Sequence, residues 1–186
     1  FSLAVLAGYG VARLTGPTTP DARKWMVAAG LAFLILLEYR SNPLQLRRVP
    51  VRPPPVYADL LQDLGDAPRA AIIELPIARE DPTFMYYSTF HWQHLLNGYS
   101  GFHSPAYLEL LQAMAQFPDG DSLHVLRRRS VRYAIIHGEL LEKAEYERMI
   151  SAVDKRPEFE LVARRPWQGR EVSLYRFFSV TQQPEF

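Results

Sequence analysis

Residues 84–107 carry the densest chemistry of the chain. They hold eight aromatic side chains, Phe84, Tyr86, Tyr87, Phe90, Trp92, Tyr99, Phe102 and Tyr107, and three of the five histidines, His91, His94 and His103. At the centre, Asn97-Gly98-Tyr99-Ser100-Gly101 is a turn-forming run whose glycines permit a tight turn or close approach to a ligand. Aromatic faces cover the C–H faces of a sugar ring, while amide, hydroxyl and imidazole groups bond its hydroxyls. The composition therefore suits a sugar or another polyol. His91, Asn97, Tyr99, Ser100 and Phe102 are the candidate ligand contacts, with Arg79 a further candidate. The same residues also fit a packed loop whose polar groups satisfy its own backbone.

Other constellations are weaker. His91 and His94 would share a helical face and could join His103 around a metal, but nothing fixes the third ligand, so no metal site is assigned. Glu74, Glu80 and Asp81 flank the end of a predicted strand, where two carboxylates could do acid–base work or simply be solvated. Ser88 or Ser100 could be fitted into a Ser–His–Asp triad, as in any chain of this size. No HExxH, Walker, GxSxG or GxGxxG element is present, and no catalytic residue is assigned. Arg127-Arg128-Arg129 with Arg132 is the densest basic run. It reads as a solvated face or as a patch for anionic headgroups or a lipid-linked phosphate.

The elements that must position these residues fall into two parts. Apolar residues make up 48% of the 186, charged residues 22%, and the net charge is +1. That balance excludes a disordered chain and a globally basic nucleic-acid binder. The absence of Cys excludes a disulfide framework and leaves the redox compartment undecided. Phe1 at the start predicts a piece of a longer chain. Residues 1–14 read as an apolar helix. Thr19-Pro20-Asp21 signals the start of a second, in which Trp25 to Leu37 runs thirteen residues without a polar side chain. Thirteen is short of the roughly 20 that cross a bilayer. Lys24 and Arg40 can snorkel, and Trp25 and Tyr39 suit the interfaces, so residues 1–42 are expected to be a transmembrane helical segment. The competing reading is a buried core helix of a soluble protein.

A proline-rich linker is expected over 43–55, with Pro53 to Pro55 extended as a polyproline spacer. A soluble α/β domain is expected over 56–186. Its order is helix 56–64, strand 70–75, an ambiguous aromatic stretch 83–93 and a helix from Ser104-Pro105. A turn at 118–121, a short helix 122–130, strand 132–137, helix 141–156 and a terminal hairpin follow. This predicts a layered α/β fold with a mixed sheet of about four strands, the first two parallel.

The run Tyr86-Tyr87-Ser88-Thr89-Phe90-His91-Trp92-Gln93-His94-Leu95-Leu96-Asn97-Gly98-Tyr99-Ser100-Gly101-Phe102 is followed by Pro105 and Tyr107. With Glu74-Leu75-Pro76 and Val131-Arg132-Tyr133-Ala134-Ile135-Ile136-His137, it resembles the C-terminal region of large bacterial membrane proteins similar to GT-C glycosyltransferases of the dolichyl-phosphate-mannose–protein mannosyltransferase kind. The resemblance covers roughly residues 20–178. It implies a polytopic enzyme of the bacterial inner membrane that moves a sugar from a polyprenyl-phosphate donor to a glycan or protein acceptor. The family's catalytic acid lies in an early loop that this chain does not contain, so none is carried over, and no cofactor is implied. Basic residues lean by one toward a cytoplasmic soluble domain, whereas the resemblance places it outside; long domains translocate largely regardless of charge. The alternative is a non-catalytic, membrane-anchored interaction or sugar-binding module.

Overall fold

The structure is a computed structural model and describes residues 2–16, 20–40, 50–98 and 100–178. The chain forms two compact units, residues 1–48 and 49–186.

The first unit contains α1 (Ser2–Leu14) and α2 (Asp21–Glu38). The helix reading holds, but the transmembrane reading of 1–42 is corrected. Among the described residues no helix is long and apolar enough to cross a membrane. The reason is visible in α2, whose 18 residues include Asp21, Arg23, Lys24 and Glu38. The apolar stretch that remains is about 20 Å long, against a hydrocarbon core of about 30 Å. Nor is α2 a core helix. It buries none of its side chains, and Phe33 and Leu36 are 64% and 71% exposed. Thr19 lies outside the described residues.

In the second unit α3 (Val56–Leu64) comes first. The prolines before it do not continue as a spacer at their described end. Pro55 is helical, and the carbonyls of Pro54 and Pro55 accept from Tyr57 and Ala58 N–H. A fixed φ near the helical value makes Pro55 a helix start. Residues 43–49 of the expected linker lie outside the described residues.

There follow β1 (Ala71–Leu75), α4 (Asp81–Tyr87), a 3₁₀ turn over Ser88–Phe90, and β2 (His94–Leu95). Then come α5 (Pro105–Met114), α6 (Gly120–Arg128), β3 (Val131–His137) and a 3₁₀ turn over Gly138–Leu140. α7 (Lys143–Val153), β4 (Phe159–Trp167) and β5 (Arg170–Phe177) complete the unit. The five strands form one mixed sheet, in the order β2-β1-β3-β5-β4, with β1 parallel to both neighbours and β5 antiparallel to β3 and β4.

The α/β class and mixed sheet are as expected; the strand count is five. The two-residue β2 is too short to leave a periodic signal and lies just beyond the ambiguous aromatic stretch 83–93. The expected turn at 118–121 is instead a helix start. The Asp119 carboxylate accepts from Ser122 N–H at 2.9 Å and caps α6.

Strand alternation sends neighbouring residues to opposite faces of the sheet. Ile72, Tyr133, Ile135, Val172 and Leu174 pack with α3. Ile73, Leu75, Ala134, Ile136 and Tyr175 pack with α5, α6 and α7. Arg165 grips Asp59 through two bonds of 2.9 and 2.6 Å, and Tyr133 donates to Asp63 at 2.7 Å, so α3 is pinned to the sheet. At the far end Gln168 and Gly169 both have positive φ, 47° and 80°, as a two-residue hairpin turn requires.

Candidate functional site

The same alternation puts Glu74, on β1, and His137, at the end of β3, on the α3 face. Glu74 pairs with Ile135 across the sheet, so His137 lies two residues further along the neighbouring strand. Both side chains are fully enclosed, at 0% and 1% exposure. Glu74 Oε2 lies 2.7 Å from His137 Nε2 and accepts from the Tyr57 hydroxyl at 2.6 Å. The other imidazole nitrogen, Nδ1, lies 2.8 Å from Glu139 Oε1. His137 is thus held between two carboxylates, with the Phe84 ring against it at 4.7 Å.

Burial alone would raise the pKa of Glu74, but the hydrogen bond to His137, then the nearby His91 and the Tyr57 hydroxyl, outweigh it and hold the carboxyl below its ordinary value. Burial alone would lower that of His137; the bonds to Glu139 and Glu74 reverse this and push it up to about 9. Burial and the neighbouring Glu74 carboxylate drive the Tyr57 hydroxyl well above the ordinary phenol range, so it stays a donor. At neutral pH the centre is a buried carboxylate–imidazolium pair.

His91 closes this cluster. Its Nδ1 accepts from Gln93 N–H at 3.0 Å, so the ring hydrogen sits on Nε2. That atom faces Glu74 Oε1 at 3.9 Å, too far for a hydrogen bond. Glu74 Oε1, His91 Nε2, the Tyr87 hydroxyl and Glu139 Oε2 are all buried without a hydrogen-bond partner among the described residues.

Asn97 extends β2. Backbone pairing ends where Leu96 N–H donates to Ile72 carbonyl oxygen at 2.9 Å. One step later the Asn97 side chain takes over: Oδ1 accepts from Glu74 N–H and Nδ2 donates to Glu74 carbonyl oxygen, both at 2.8 Å. Nδ2 also donates to Asp81 Oδ1 at 3.0 Å, and the Tyr107 hydroxyl donates to the other Asp81 oxygen. Both amide hydrogens of Asn97 are engaged, so here it sets the loop.

This clamp sits at a switch in the chain's course. After β1 the chain turns into α4, whose Tyr87 packs on the α3 face; after β2 it turns into α5, whose Leu110 and Met114 pack on the other. Loops leaving in opposite directions open a crevice at the carboxyl ends of the strands. In it lies an open depression of about 220 Å³ between Met85, Gly98, Ser100, Phe102, His103, Ser104 and Tyr107. His103 stacks on Tyr107 at 5.3 Å, and Phe102 is 77% exposed. Ser100 Oγ closes a local turn with both backbone groups of Phe102.

The structure therefore gathers most of the expected ligand residues without treating them alike. Ser100 and Phe102 line the depression, Asn97 supports it, and His91 lies deeper against Glu74. Tyr99 lies outside the described residues. Arg79 stands on the other loop, donating to the Leu140 carbonyl at 2.9 Å. His91, His94 and His103 do not converge, and among the described residues no group of three His, Asp or Glu side chains could hold a metal ion. His137 was read only as a strand end. Its partnership with Glu74 needed the parallel register, although an ionisable residue in each of two buried strands was a signal. Asp81 was weighed only as a solvated or acid–base carboxylate; it is buried and tied to Asn97 and Tyr107.

Comparison with protein-family models and with curated proteins gives no match.

Proposed function

We propose that this chain is the membrane-seated C-terminal part of a transferase that uses a lipid-linked sugar, and that its α/β domain holds the glycan at the Phe102 depression. The observation that carries the reading is the lining of that depression. An exposed phenylalanine and a stacked histidine–tyrosine pair, with the His103 ring nitrogens beside them at the carboxyl ends of parallel strands, are groups that suit a sugar's C–H face and hydroxyls. The Asn97 clamp and the Glu74–His137 pair beneath make it a rigid platform.

Seating in lipid is supported by α2, which presents apolar side chains on every side and buries none. In this reading α1 and α2 are short helices within a larger helical body in the bilayer. Lys24 and Tyr39 mark the polar boundaries of α2.

The test uses membranes containing the protein in full, supplied with undecaprenyl-phosphate-linked hexoses. The expected result is transfer of the hexose to an acceptor, reduced at least tenfold by Phe102→Ala, which removes an exposed ring and spares the core. Transfer at an unchanged rate in that variant would remove the α/β domain from substrate handling. Glycan binding without any transfer would favour the sugar-binding module.

A further inference from the structure

We propose that one corner of the α/β domain, formed by the end of α4 and the turn after it, rests on the headgroup layer of a lipid bilayer, with Tyr86, Phe90 and Trp92 as its interfacial anchors. The three side chains are 44%, 39% and 65% exposed. None of them lines the Phe102 depression. This seat rests on the placement of α2 in lipid and not on sugar transfer. Three rings are too few to hold the chain on a membrane by themselves; they set how the domain lies once α2 has attached it.

The corner is held from beneath. Tyr86 meets Phe90 edge-on at 5.7 Å, and Tyr87 lies against both, at 5.6 and 6.4 Å. Tyr87 in turn meets Tyr57 of α3 edge-on at 6.2 Å. His91, between Phe90 and Trp92, is buried beside Glu74, so the backbone is anchored on its inner side. Trp92 itself has a φ of 54°, a region that bulky residues rarely adopt, and its N–H donates to the Ser88 carbonyl at 2.8 Å. A bulky residue kept in that conformation, with most of its side chain in the open, gains little from packing on its own chain. Strain held at the surface in this way points to a partner outside the chain.

Three features select lipid as that partner. Residues 82–108 contain no Asp, Glu, Lys or Arg, in a chain that is 22% charged. The acids that bracket them are engaged elsewhere: Asp81 is buried against Asn97 and Tyr107, and Glu109 pairs with Arg128 and Arg129. The end of α4 is also closed by its own side chains. Ser88 Oγ donates to the Met85 carbonyl and Thr89 Oγ1 to the Tyr86 carbonyl, both at 2.7 Å. Carbonyls that a helix end leaves open are thereby met within the chain, as surroundings of low polarity require. Finally, tyrosine and tryptophan join an apolar ring to a polar tip, and such rings gather at the membrane–water boundary. A protein partner is fixed in register by hydrogen bonds and complementary charge, and this corner presents no charged side chain.

The chain's three tryptophans supply the test: Trp25 lies in α2, Trp92 at the corner, and Trp167 on β4 at the opposite edge of the sheet from β2. Three variants of the full chain each keep one tryptophan and carry phenylalanine at the other two. They are reconstituted in vesicles of phosphatidylcholine and phosphatidylglycerol, with and without bromine on the upper acyl chain. The expected result is that brominated lipid quenches Trp92 at least twofold and iodide in the buffer does not reach it, while brominated lipid leaves Trp167 unchanged. Quenching of Trp92 by iodide and not by brominated lipid would overturn the proposal; if Trp25 is still quenched by lipid, the seating of α2 survives that result. Quenching of Trp92 by neither reagent would mark a protein contact, and equal quenching of Trp92 and Trp167 by lipid would mark no preferred face; either would overturn it too. A nitroxide on Tyr86→Cys, unique because the chain has no cysteine, is the second reporter and leaves Trp167 in place. Its exposure to oxygen is expected to exceed its exposure to a water-soluble nickel chelate, and the reverse order would overturn the proposal.

Discussion

Asn97 holds Glu74 by both of its backbone groups, with an acceptor bond and a donor bond of 2.8 Å each. A side-chain amide thereby stands in for the next peptide of a two-residue strand. The carboxylate on the other side of the same residue is bonded to His137 and Tyr57. Loop, strand and buried charge are thus one unit.

Asn97→Ala leaves a buried N–H and a buried C=O of Glu74 unpaired. Each unmet group costs about 1–3 kcal/mol. The expected loss is about 2–4 kcal/mol by urea unfolding of the full chain. Asn97→Asp should lose more, because it places a carboxylate beside Asp81 and removes the donor. Equal stability of wild type and both variants would show that the clamp contributes nothing.

The Glu74–His137 pair gives stability a pH window. The raised pKa of His137 contributes stability that is complete below about 6.5 and is lost as pH rises through about 9. The lowered pKa of Glu74 acts oppositely: its contribution is present above its ordinary value of 4.5 and is lost as pH falls through the folded one. Melting temperature should therefore fall on both sides of a plateau between about pH 5 and 6.5. The His137 imidazole should titrate near 9 by NMR, and lower in Glu139→Gln. A His137 midpoint near 6.5 in the wild type would contradict the arrangement.

Gly138 follows β3 where there is no room for a side chain. An added Cβ would lie 2.5 Å from the Glu171 carbonyl oxygen and 3.1 Å from the Tyr146 ring. Backbone cannot yield as a flexible side chain can, so Gly138→Ala should cost at least about 2 kcal/mol. A variant with wild-type unfolding would show that the strand end can shift.

The apolar surface of α2 should decide membrane attachment. Charges near the middle of a lipid-seated helix cost about 2.5–3.5 kcal/mol each. Leu34→Glu with Leu36→Glu should move the chain from the floating fraction of a vesicle gradient to the bottom. Flotation of wild type and variant alike would place attachment elsewhere.

Much of this fold could be read from the chain. Helical spacing marked Val56, Leu60 and Leu64, and apolar runs marked both parallel strands, because a strand covered on two faces is nearly all apolar. The hairpin was legible from alternation on either side of Gln168-Gly169. β2 was not, since two residues carry no period. The site was half legible. Residue types singled out His91, Asn97, Ser100 and Phe102, but their depths depend on register. Glu74 and His137 are 63 positions apart in the chain, and only parallel pairing brings them to 2.7 Å. Pro55 departs from the extended spacer expected of it, because a proline's fixed φ suits a spacer and a helix start equally.

The most direct test of the central claim is saturation-transfer NMR of the full chain in detergent micelles, with methyl glycosides of the common hexoses. Transfer to the sugar ring protons is expected for at least one glycoside, abolished by Phe102→Ala while the unfolding transition stays unchanged. Absence of transfer for every glycoside, or transfer that survives the loss of Phe102, would contradict it.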